Sequence, residues 1–439
     1  MILDKIYKIL ASHLQPRIKL TERFFMILAE LYQNIFSRTQ YFAPEDLRQI
    51  QQKRLLRLIK RAKKNVPFYS IYLKNANSIN DFNSLPPISK EKARMETDRG
   101  TMLNPNLEDY RISRYTSGST GVPFNFFLDK NMLARRLAIY RRMFDWTDKK
   151  EGDLVIRMAP REHPGLEREG VHFFCKNPEH LNEKKNAFYE LCDGKLIILQ
   201  SYTSILVRLA QLMEKDAKII NFKALISYAE PLYPETRDYF EKVFKAPIFN
   251  YYANEEVTAI AQECEFHNGF HVNAEYVYLE IIGEKNQLLP AEETGDVVIT
   301  SLDNEVMPFI KYRTGDRGYW IKEKCPCGRT LPKIKIEGRM TNSFLLPDGK
   351  TGYFFTMIKP VLGLVSKILR HQVIRNSQNS FLIKIIPLSN FNENDKKFII
   401  DSFFDYLGPT AEIDFEIVDR IESMPGGKEL AFINLAPGK

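Results

Sequence analysis

The sequence predicts an α/β protein with a large N-terminal region of layered sheets and helices and a small C-terminal α+β domain. The chain has 439 residues, more than one hydrophobic core usually supports, so at least two domains are expected. Short apolar runs alternate with helical segments between residues 130 and 250, which favours α/β layering. After Arg339 the pattern becomes strand, helix, two strands, helix and strand, which is typical of a small α+β domain.

The first elements are predicted to be helices. Apolar residues recur at helical spacing near the N-terminus: Leu20, Phe24, Phe25, Ile27, Leu28 and Leu31. Residues 1–45 are therefore predicted to be a helical accessory segment packed on the main domain, although a membrane-surface helix would show the same pattern. Residues 44–64 are predicted to be a helix because Asp46 lies near its start and apolar residues follow on one face.

Strands and helices alternate after this point. The predicted helices are 130–144, 204–215 and 234–244. The predicted strands are 154–157, 195–199, 224–227 and 247–250. Strands are expected again at 277–282 and 296–300, separated by turn-forming polar residues. The C-terminal domain is predicted to contain a hairpin of 366–375 with 381–386 and a helix at 393–406.

Residues 115–123, with the sequence YTSGSTGVP, carry the most specific chemical pattern in the chain. Glycine allows the backbone to approach an anion closely, and serine and threonine hydroxyls donate to phosphate oxygens without adding charge. Backbone N–H groups of such a loop can surround phosphate oxygens as well. The loop therefore predicts a nucleotide phosphate site, whereas a Gly/Ser/Thr turn without a ligand remains the alternative.

The loop resembles the phosphate-binding signature of adenylate-forming enzymes, and later segments follow in that family's order. These segments are NYYANEE at 250–256, YRTGD at 312–316, Gly338-Arg339 and PGGK at 425–428. Within the superfamily the chain is most similar to the phenylacetate–coenzyme A ligase branch and its capsular-polysaccharide, CapK-like relatives. Phe124 after the loop and CPCGR at 325–329 support that branch, and the resemblance runs from about residue 47 to the C-terminus.

The resemblance implies that ATP activates a carboxylic acid to an acyl adenylate with release of pyrophosphate, followed by transfer to coenzyme A. It implies a large adenylation domain at 46–340 and a small mobile domain at 341–439. The implied phosphate-binding residues are Thr116, Ser117, Gly118, Ser119, Thr120 and Gly121, with Thr116 or Ser117 nearest the reacting centre. The other implied roles are adenine binding by Tyr252 and the backbone of Ala229, Glu230 and Pro231, ribose binding by Asp316, ribose or phosphate binding by Arg339, magnesium binding by Glu256, and catalysis by Lys428.

Several positions leave alternatives open. Taken alone, Tyr252 suits a packed strand end and Glu256 a helix start. Glu255 stands where a phosphate-contacting threonine is common, and its carboxylate would repel phosphate unless a metal lies between them. Ala253 replaces a usual glycine, and Thr341 replaces a usual aspartate or lysine. A nucleotide-binding protein without turnover therefore remains an alternative.

The acid is not predicted, and transfer to coenzyme A has an alternative. The polysaccharide-pathway relatives keep open a transfer of the acyl group to an amine or a sugar hydroxyl. A phosphate-loop kinase is disfavoured because the loop lacks the Gly-Lys-Ser/Thr ending of that class.

Cysteine and histidine residues predict a second site. Cys264, His271, Cys325 and Cys327 can supply three thiolates and one imidazole, a set that suits structural zinc. Cys-x-Cys is tighter than the usual spacing, and His267 competes with His271. Similar residues occur in metal-bearing members of the branch, while unligated cysteines are the alternative.

Composition excludes several classes of protein. No apolar stretch reaches the length needed to cross a bilayer, and the first ten residues lack a signal-peptide core, so a cytoplasmic location is predicted. Five cysteines, an odd number, favour free thiols or a metal over a disulfide framework. The net charge of +8 is dispersed, which suits ATP, coenzyme A or a membrane surface but predicts no nucleic-acid binding.

Overall fold

The structure is a computed structural model, and it describes residues 22–116, 124–160, 170–339, 343–346, 351–421 and 431–436. The helices are α1 Glu22–Thr39, α2 Pro44–Asn65, α3 Pro67–Tyr72, α4 Ile79–Asn83, α5 Lys90–Asp98, α6 Lys130–Asp145, α7 Pro178–Cys192, α8 Thr203–Lys215, α9 Pro234–Phe244, α10 Phe354–Met357, α11 Lys359–Gly363 and α12 Glu393–Leu407. No helix in these ranges is long and apolar enough to cross a membrane.

The strands confirm the predicted α/β class. They are β1 Ile112–Thr116, β2 Phe124–Leu128, β3 Leu154–Ala159, β4 Val171–Phe174, β5 Ile197–Tyr202, β6 Phe222–Tyr228, β7 Ile248–Asn254, β8 Thr258–Gln262, β9 Phe270–Val272, β10 Val277–Ile282, β11 Gly295–Ser301, β12 Tyr312–Ile321, β13 Lys333–Arg339, β14 Ser343–Leu345, β15 Thr351–Tyr353, β16 Ile368–Arg375, β17 Ser380–Pro387, β18 Glu412–Ile417 and β19 Phe432–Asn434. The predicted helix at 234–244 and strand at 277–282 begin and end at the expected residues.

The chain forms two compact units, the first of which contains the described residues up to 150 and residues 249–337. Its main strands lie side by side in the order β10-β11-β12-β13-β9-β8-β7. The pairs β10–β11, β11–β12, β13–β9, β8–β9 and β7–β8 are antiparallel. Strands β1 and β2 form a separate antiparallel pair. Residues 117–123, between these two strands in the sequence, lie outside the described residues.

Buried charges hold the N-terminal helix on the first unit. Arg142 Nη1 donates to Glu275 Oε1 at 2.8 Å, and Thr39 Oγ1, at the end of α1, donates to the same oxygen at 2.6 Å. Tyr32 Oη of α1 donates to Asn131 Oδ1 of α6 at 2.8 Å. Because both charged groups are fully buried, loss of either one would leave an uncompensated charge. The described part of the accessory segment is therefore integral to this unit.

The second unit contains the described residues of 151–160 and 170–248, together with those from 338 onward. Strands β4, β3, β5 and β6 are parallel in that order. Helices α7, α8 and α9 cover one face, with Phe188, Leu206 and Phe240 in a core that also contains Ile156 and Leu199. This arrangement is the one predicted from the alternation of strands and helices.

The C-terminal residues form a four-stranded sheet, ordered β18-β17-β16-β19 among the described residues, with α12 packed on it. Two side chains join this sheet to the helices of the same unit. Gln211 Nε2 of α8 donates to the carbonyl oxygens of Val365 and Ile368 at 2.9 and 3.0 Å, and Arg370 pairs with Glu179 of α7 at 3.0 Å. The domain limits at 45 and 340, and mobility of the C-terminal domain, stay predictions.

Candidate functional site

Tyr252 and Asp316, from two separate sequence motifs, are in direct contact. Tyr252 Oη donates to Asp316 Oδ2 at 2.7 Å. Asp316 lies in a β-bulge, where β12 shifts register against β11. Gly315 supplies the positive φ of +83°, which glycine adopts without strain. Bulges commonly redirect a side chain beside a functional site.

Glu256 lies in the turn between β7 and β8, so the helix start suggested by the residue alone is wrong. Its carboxylate is buried, and Oε1 accepts a hydrogen bond from Tyr312 Oη at 2.7 Å. The same oxygen lies 3.1 Å from Lys90 Nζ. The negative charge of Glu256 is thus balanced by a lysine within the protein.

Backbone pairing brings Lys90 to this position. The Ile88 N–H donates to the Lys311 carbonyl oxygen at 2.7 Å, and the Arg313 N–H donates to the Ile88 carbonyl oxygen at 2.9 Å. Ile88 therefore lies beside Tyr312 at the start of β12. Lys90 follows two residues later, at the first position of α5. The contacts of Lys90 and Tyr312 with Glu256 were not predicted from the sequence. For Tyr312, its place in the same YRTGD segment as Asp316 was a signal that it lies near the site.

The donor set around Glu256 fits a magnesium ion. Magnesium usually takes one or two carboxylates from the protein and fills its other positions with water and substrate phosphates. Among the described residues, Tyr312 and Lys90 both contact Oε1 of Glu256, so its second carboxylate oxygen is available for a cation. Glu255 is next to Glu256 in the same turn and is only partly exposed.

Thr116, the last residue of β1, is the predicted phosphate-binding residue of this loop that the structure describes. It is buried, and its Oγ1 has no hydrogen-bond partner among the described residues. A buried hydroxyl without a partner is costly, so this atom is suited to bind a ligand oxygen. The other predicted phosphate-binding residues, Ser117, Gly118, Ser119, Thr120 and Gly121, lie outside the described residues, as does Lys428.

Ala229, Glu230 and Pro231 follow the carboxyl end of β6 in the second unit. Ala229 has a φ of +66°, a left-handed conformation that is uncommon for a residue with a Cβ. The Glu230 carboxylate accepts hydrogen bonds from the N–H and Oγ of Ser204 at 2.8 and 3.1 Å. Its side chain therefore braces the start of α8. Arg339 ends β13, and the roles of these residues toward a nucleotide stay predictions.

The four metal-site candidates converge in the first unit. The ligand atoms of Cys264, His271, Cys325 and Cys327 all lie within 4.8 Å of one another. Cys264 Sγ is 3.5 Å from Cys325 Sγ, and Cys327 Sγ is 3.5 Å from His271 Nε2. In a tetrahedral zinc site with bonds of about 2.0–2.3 Å, the ligand atoms lie at comparable distances from one another. His267 is not in the cluster, since its Nδ1 lies 3.4 Å from Glu263 Oε2.

The surroundings of this Cys/His cluster favour the metal-binding protonation states of His271 and Cys327, whereas burial raises the pKa of Cys264 and favours its protonated thiol. His271 Nδ1 lies 3.3 Å from the Leu331 carbonyl oxygen, which leaves Nε2 facing the sulfurs. Burial lowers the pKa of His271 to about 4, so its imidazole is neutral. Burial raises the pKa of Cys327, but hydrogen bonds from the backbone and side chain of Arg329 outweigh it and leave the pKa below its ordinary value. A neutral imidazole and an ionisable thiol are the forms that a metal binds.

The remaining cysteines are separate from this cluster. Cys175 and Cys192 lie in the core beside α7. Burial raises the pKa of each thiol to about 12. They therefore stay protonated and poorly reactive.

Comparison with known proteins adds relatives in sequence and in fold. Residues 349–434 match the family model of the CapK C-terminal domain. The chain is 23% identical over 416 residues to Protein CapK of Staphylococcus aureus, covering 89% of each chain. It is 24% identical over 350 residues to a phenylacetate-coenzyme A ligase of Thermus thermophilus, covering 75% of this chain and 78% of the relative. A solved 2-hydroxyisobutyryl-CoA ligase, in the postadenylation state with 2-HIB-AMP, superposes with a TM-score of 0.75 at 17% identity, covering 88% of this chain and 89% of that one.

Proposed function

Because this chain belongs to the adenylate-forming superfamily, on the branch of CapK and the phenylacetate–coenzyme A ligases, we propose that it activates a carboxylic acid with ATP. The product would be an acyl adenylate, from which the acyl group passes to coenzyme A. One observation carries this proposal: Tyr252 and Asp316, separated by 64 positions, share a hydrogen bond of 2.7 Å. The residues assigned to adenine and ribose are therefore adjacent.

The chemistry assigns separate tasks to these residues. The carboxylate oxygen of the acid attacks the α-phosphorus of ATP, and pyrophosphate leaves on the opposite side. Thr116 and residues 117–121 would bind the phosphates, while Asp316 would accept hydrogen bonds from the ribose hydroxyls. Glu256 would hold magnesium, whose charge offsets that of the phosphates when it is bound. Lys428 would bring a positive charge to the reacting carboxylate and α-phosphate.

A second outcome starts from the same adenylate. The acyl group would pass to an amine or to a sugar hydroxyl, which would place the protein in polysaccharide biosynthesis. This alternative rests on the resemblance to the CapK-like branch, and residues 349–434 match the CapK C-terminal domain. A third possibility is a nucleotide-binding protein that does not turn over a substrate. Glu255 and Thr341, where the chain departs from the family pattern, support this possibility.

A pyrophosphate-release screen separates these functions. Purified protein would be incubated with ATP, magnesium and aryl, fatty, amino or hydroxy acids, each with and without coenzyme A. We expect one acid class to release pyrophosphate and to form AMP faster when coenzyme A is present. Acid-dependent pyrophosphate release that coenzyme A does not affect would favour an amine or hydroxyl acceptor. ATP binding without pyrophosphate release from any acid would support the non-catalytic alternative.

Asp316→Ala is expected to weaken ATP binding about 10- to 100-fold, because hydrogen bonds to a charged group are lost. Isothermal titration calorimetry with ATP and magnesium would measure the change in Kd. Tyr252→Phe is the matched variant, since it removes the hydroxyl that contacts Asp316 but keeps the aromatic ring, and we expect a smaller effect from it. An unchanged Kd in a folded Asp316→Ala protein would contradict the ribose assignment.

We also propose that Cys264, His271, Cys325 and Cys327 bind a structural zinc ion. The loop that carries two of these residues contacts the N-terminal region: the Thr330 N–H donates to the Gln40 carbonyl oxygen at 2.8 Å, and Thr330 Oγ1 donates to the Phe42 carbonyl oxygen at 2.6 Å. Zinc would hold this loop in the conformation that positions Thr330. Metal binding would thereby stabilise the junction between α1 and α2.

The zinc proposal predicts about one zinc per chain in wild type and very little in Cys325→Ser, because three ligands hold the ion poorly. Elemental analysis by mass spectrometry would measure the metal content, and calorimetry would measure the expected fall in Tm. Cys192→Ser is the control, since it changes the same residue type outside the cluster and should retain zinc. Metal-free wild type after expression with added zinc would exclude the site.

A further inference from the structure

Arg157 is a buried arginine without an acidic partner among the described residues. Its side chain lies in the second unit, the residue is 5% exposed, and Nη1 has no hydrogen-bond partner within the part of the chain that the structure describes. By contrast, the buried side chains of Arg54 and Arg135 pair with Asp303, and that of Arg142 pairs with Glu275. A buried charge is costly unless it is paired. Arg375 is also buried without an acidic partner among the described residues, but its Nη2 donates to the carbonyl oxygens of Leu345 and Gln378. Arg157 therefore indicates an anionic partner that the described protein does not supply.

Strand register places two more polar residues beside Arg157. Arg157 of β3 is opposite His172 of β4 and Gln200 of β5. Side chains at paired positions of neighbouring strands point to the same face, and the adjacent residues Ile156 and Leu199 belong to the core covered by the helices. Arg157, His172 and Gln200 thus form a row, the Arg157 row, on the face opposite those helices.

The Arg157 row is close to the carboxyl ends of the parallel strands. In open α/β sheets, ligands bind at this edge. Gln200 is opposite Ile226 of β6, three residues before Ala229. Two strand spacings, about 10 Å, therefore separate Arg157 from the strand that leads to the predicted adenine-binding backbone. This separation suits the acid substrate, because the phosphates are assigned by prediction to residues 116–121.

We propose that the acid substrate carries a second anionic group, a carboxylate or a phosphate, and that Arg157 binds it. This inference rests on the proposed function and narrows its substrate class. The planar guanidinium group can donate two parallel hydrogen bonds to either anion. A monocarboxylic acid, whose one carboxylate reacts with ATP, would bring no anionic partner to the buried Arg157, so the site rejects it. Gln200, which is also buried, is placed by register to contribute a further polar contact.

Matched acids test the proposal. Pyrophosphate release would be compared for monocarboxylic acids and for acids of equal length with a carboxylate or a phosphate at the far end, for example butyrate against succinate. We expect the preferred dianionic acid to exceed its monoanionic counterpart in kcat/KM by about 30-fold or more. Arg157→Gln should remove this preference, mainly through KM, and Arg157→Lys should keep part of it. The exposed Lys195→Gln in the same unit is the control and should behave like wild type.

Calorimetric titration with the free dianionic acids separates this inference from the proposed function. Binding to wild type and Arg157→Lys but not to Arg157→Gln, without pyrophosphate release from any acid, would support the anion site and refute acid activation. Release of pyrophosphate from monocarboxylic acids at equal rates in wild type and Arg157→Gln would overturn the anion site and retain acid activation. Absence of any difference between dianionic and monocarboxylic acids in both binding and turnover would also overturn it. Because Arg157→Lys retains the charge, it provides the test if Arg157→Gln does not fold.

Discussion

Glu256→Gln is expected to lower kcat/KM for pyrophosphate release by about 100- to 1,000-fold, the usual effect of removing a charge-stabilising group from a catalytic site. Glutamine has nearly the shape of glutamate, and its carbonyl oxygen can still accept the hydrogen bond from Tyr312. It loses the negative charge that a magnesium ion requires. Steady-state pyrophosphate release over a range of magnesium concentrations would measure the effect, and the variant should need more magnesium than wild type.

Tyr312→Phe is the matched control for this change. It removes the 2.7 Å hydrogen bond to Glu256 but leaves the carboxylate and its ion pair with Lys90. One neutral hydrogen bond contributes about 0.5–1.5 kcal/mol, so this variant should lose about 10-fold or less. If Glu256→Gln showed wild-type activity and magnesium dependence, Glu256 would serve only as a partner for Lys90 and Tyr312.

Lys428→Ala is expected to reduce adenylate formation by about 100-fold or more while changing the Kd for ATP by about 2-fold or less. The reacting carboxylate and the α-phosphate are both negative, so one added positive charge lowers their repulsion most strongly as the new bond forms. ATP alone has its phosphates bound by other residues and gains little from this lysine. Pyrophosphate formation and ATP calorimetry would measure the two quantities on the same preparation.

Two further measurements define the role of Lys428. Supplying the acyl adenylate with coenzyme A bypasses the first half-reaction, and Lys428→Ala should then form the thioester at a rate close to that of wild type. Lys285→Ala removes an exposed lysine of the first unit and should leave both half-reactions unchanged. Normal pyrophosphate formation by Lys428→Ala would refute the catalytic assignment.

The candidate site was predictable only in part. Sequence motifs identified Tyr252, Asp316 and Glu256, and the structure brings the first two into contact. The ion pair of Glu256 with Lys90 was not predicted, because 166 positions separate these residues and their contact depends on pairing of the segment before α5 with β12. Likewise, the choice of His271 over His267 follows from the pairing of β9 with β13.

The sequence by itself determined the local elements and the α/β class. Apolar periodicity and helix-terminal residues act over a few positions, which is why the helix at 234–244 and the strand at 277–282 were correctly bounded. Only the tertiary structure decided which distant groups meet. It also showed that the buried guanidinium group of Arg157 has no acidic partner among the described residues. The physical reason is that strand register and packing bring together groups with no local sequence relation, and burial makes the absence of a partner costly.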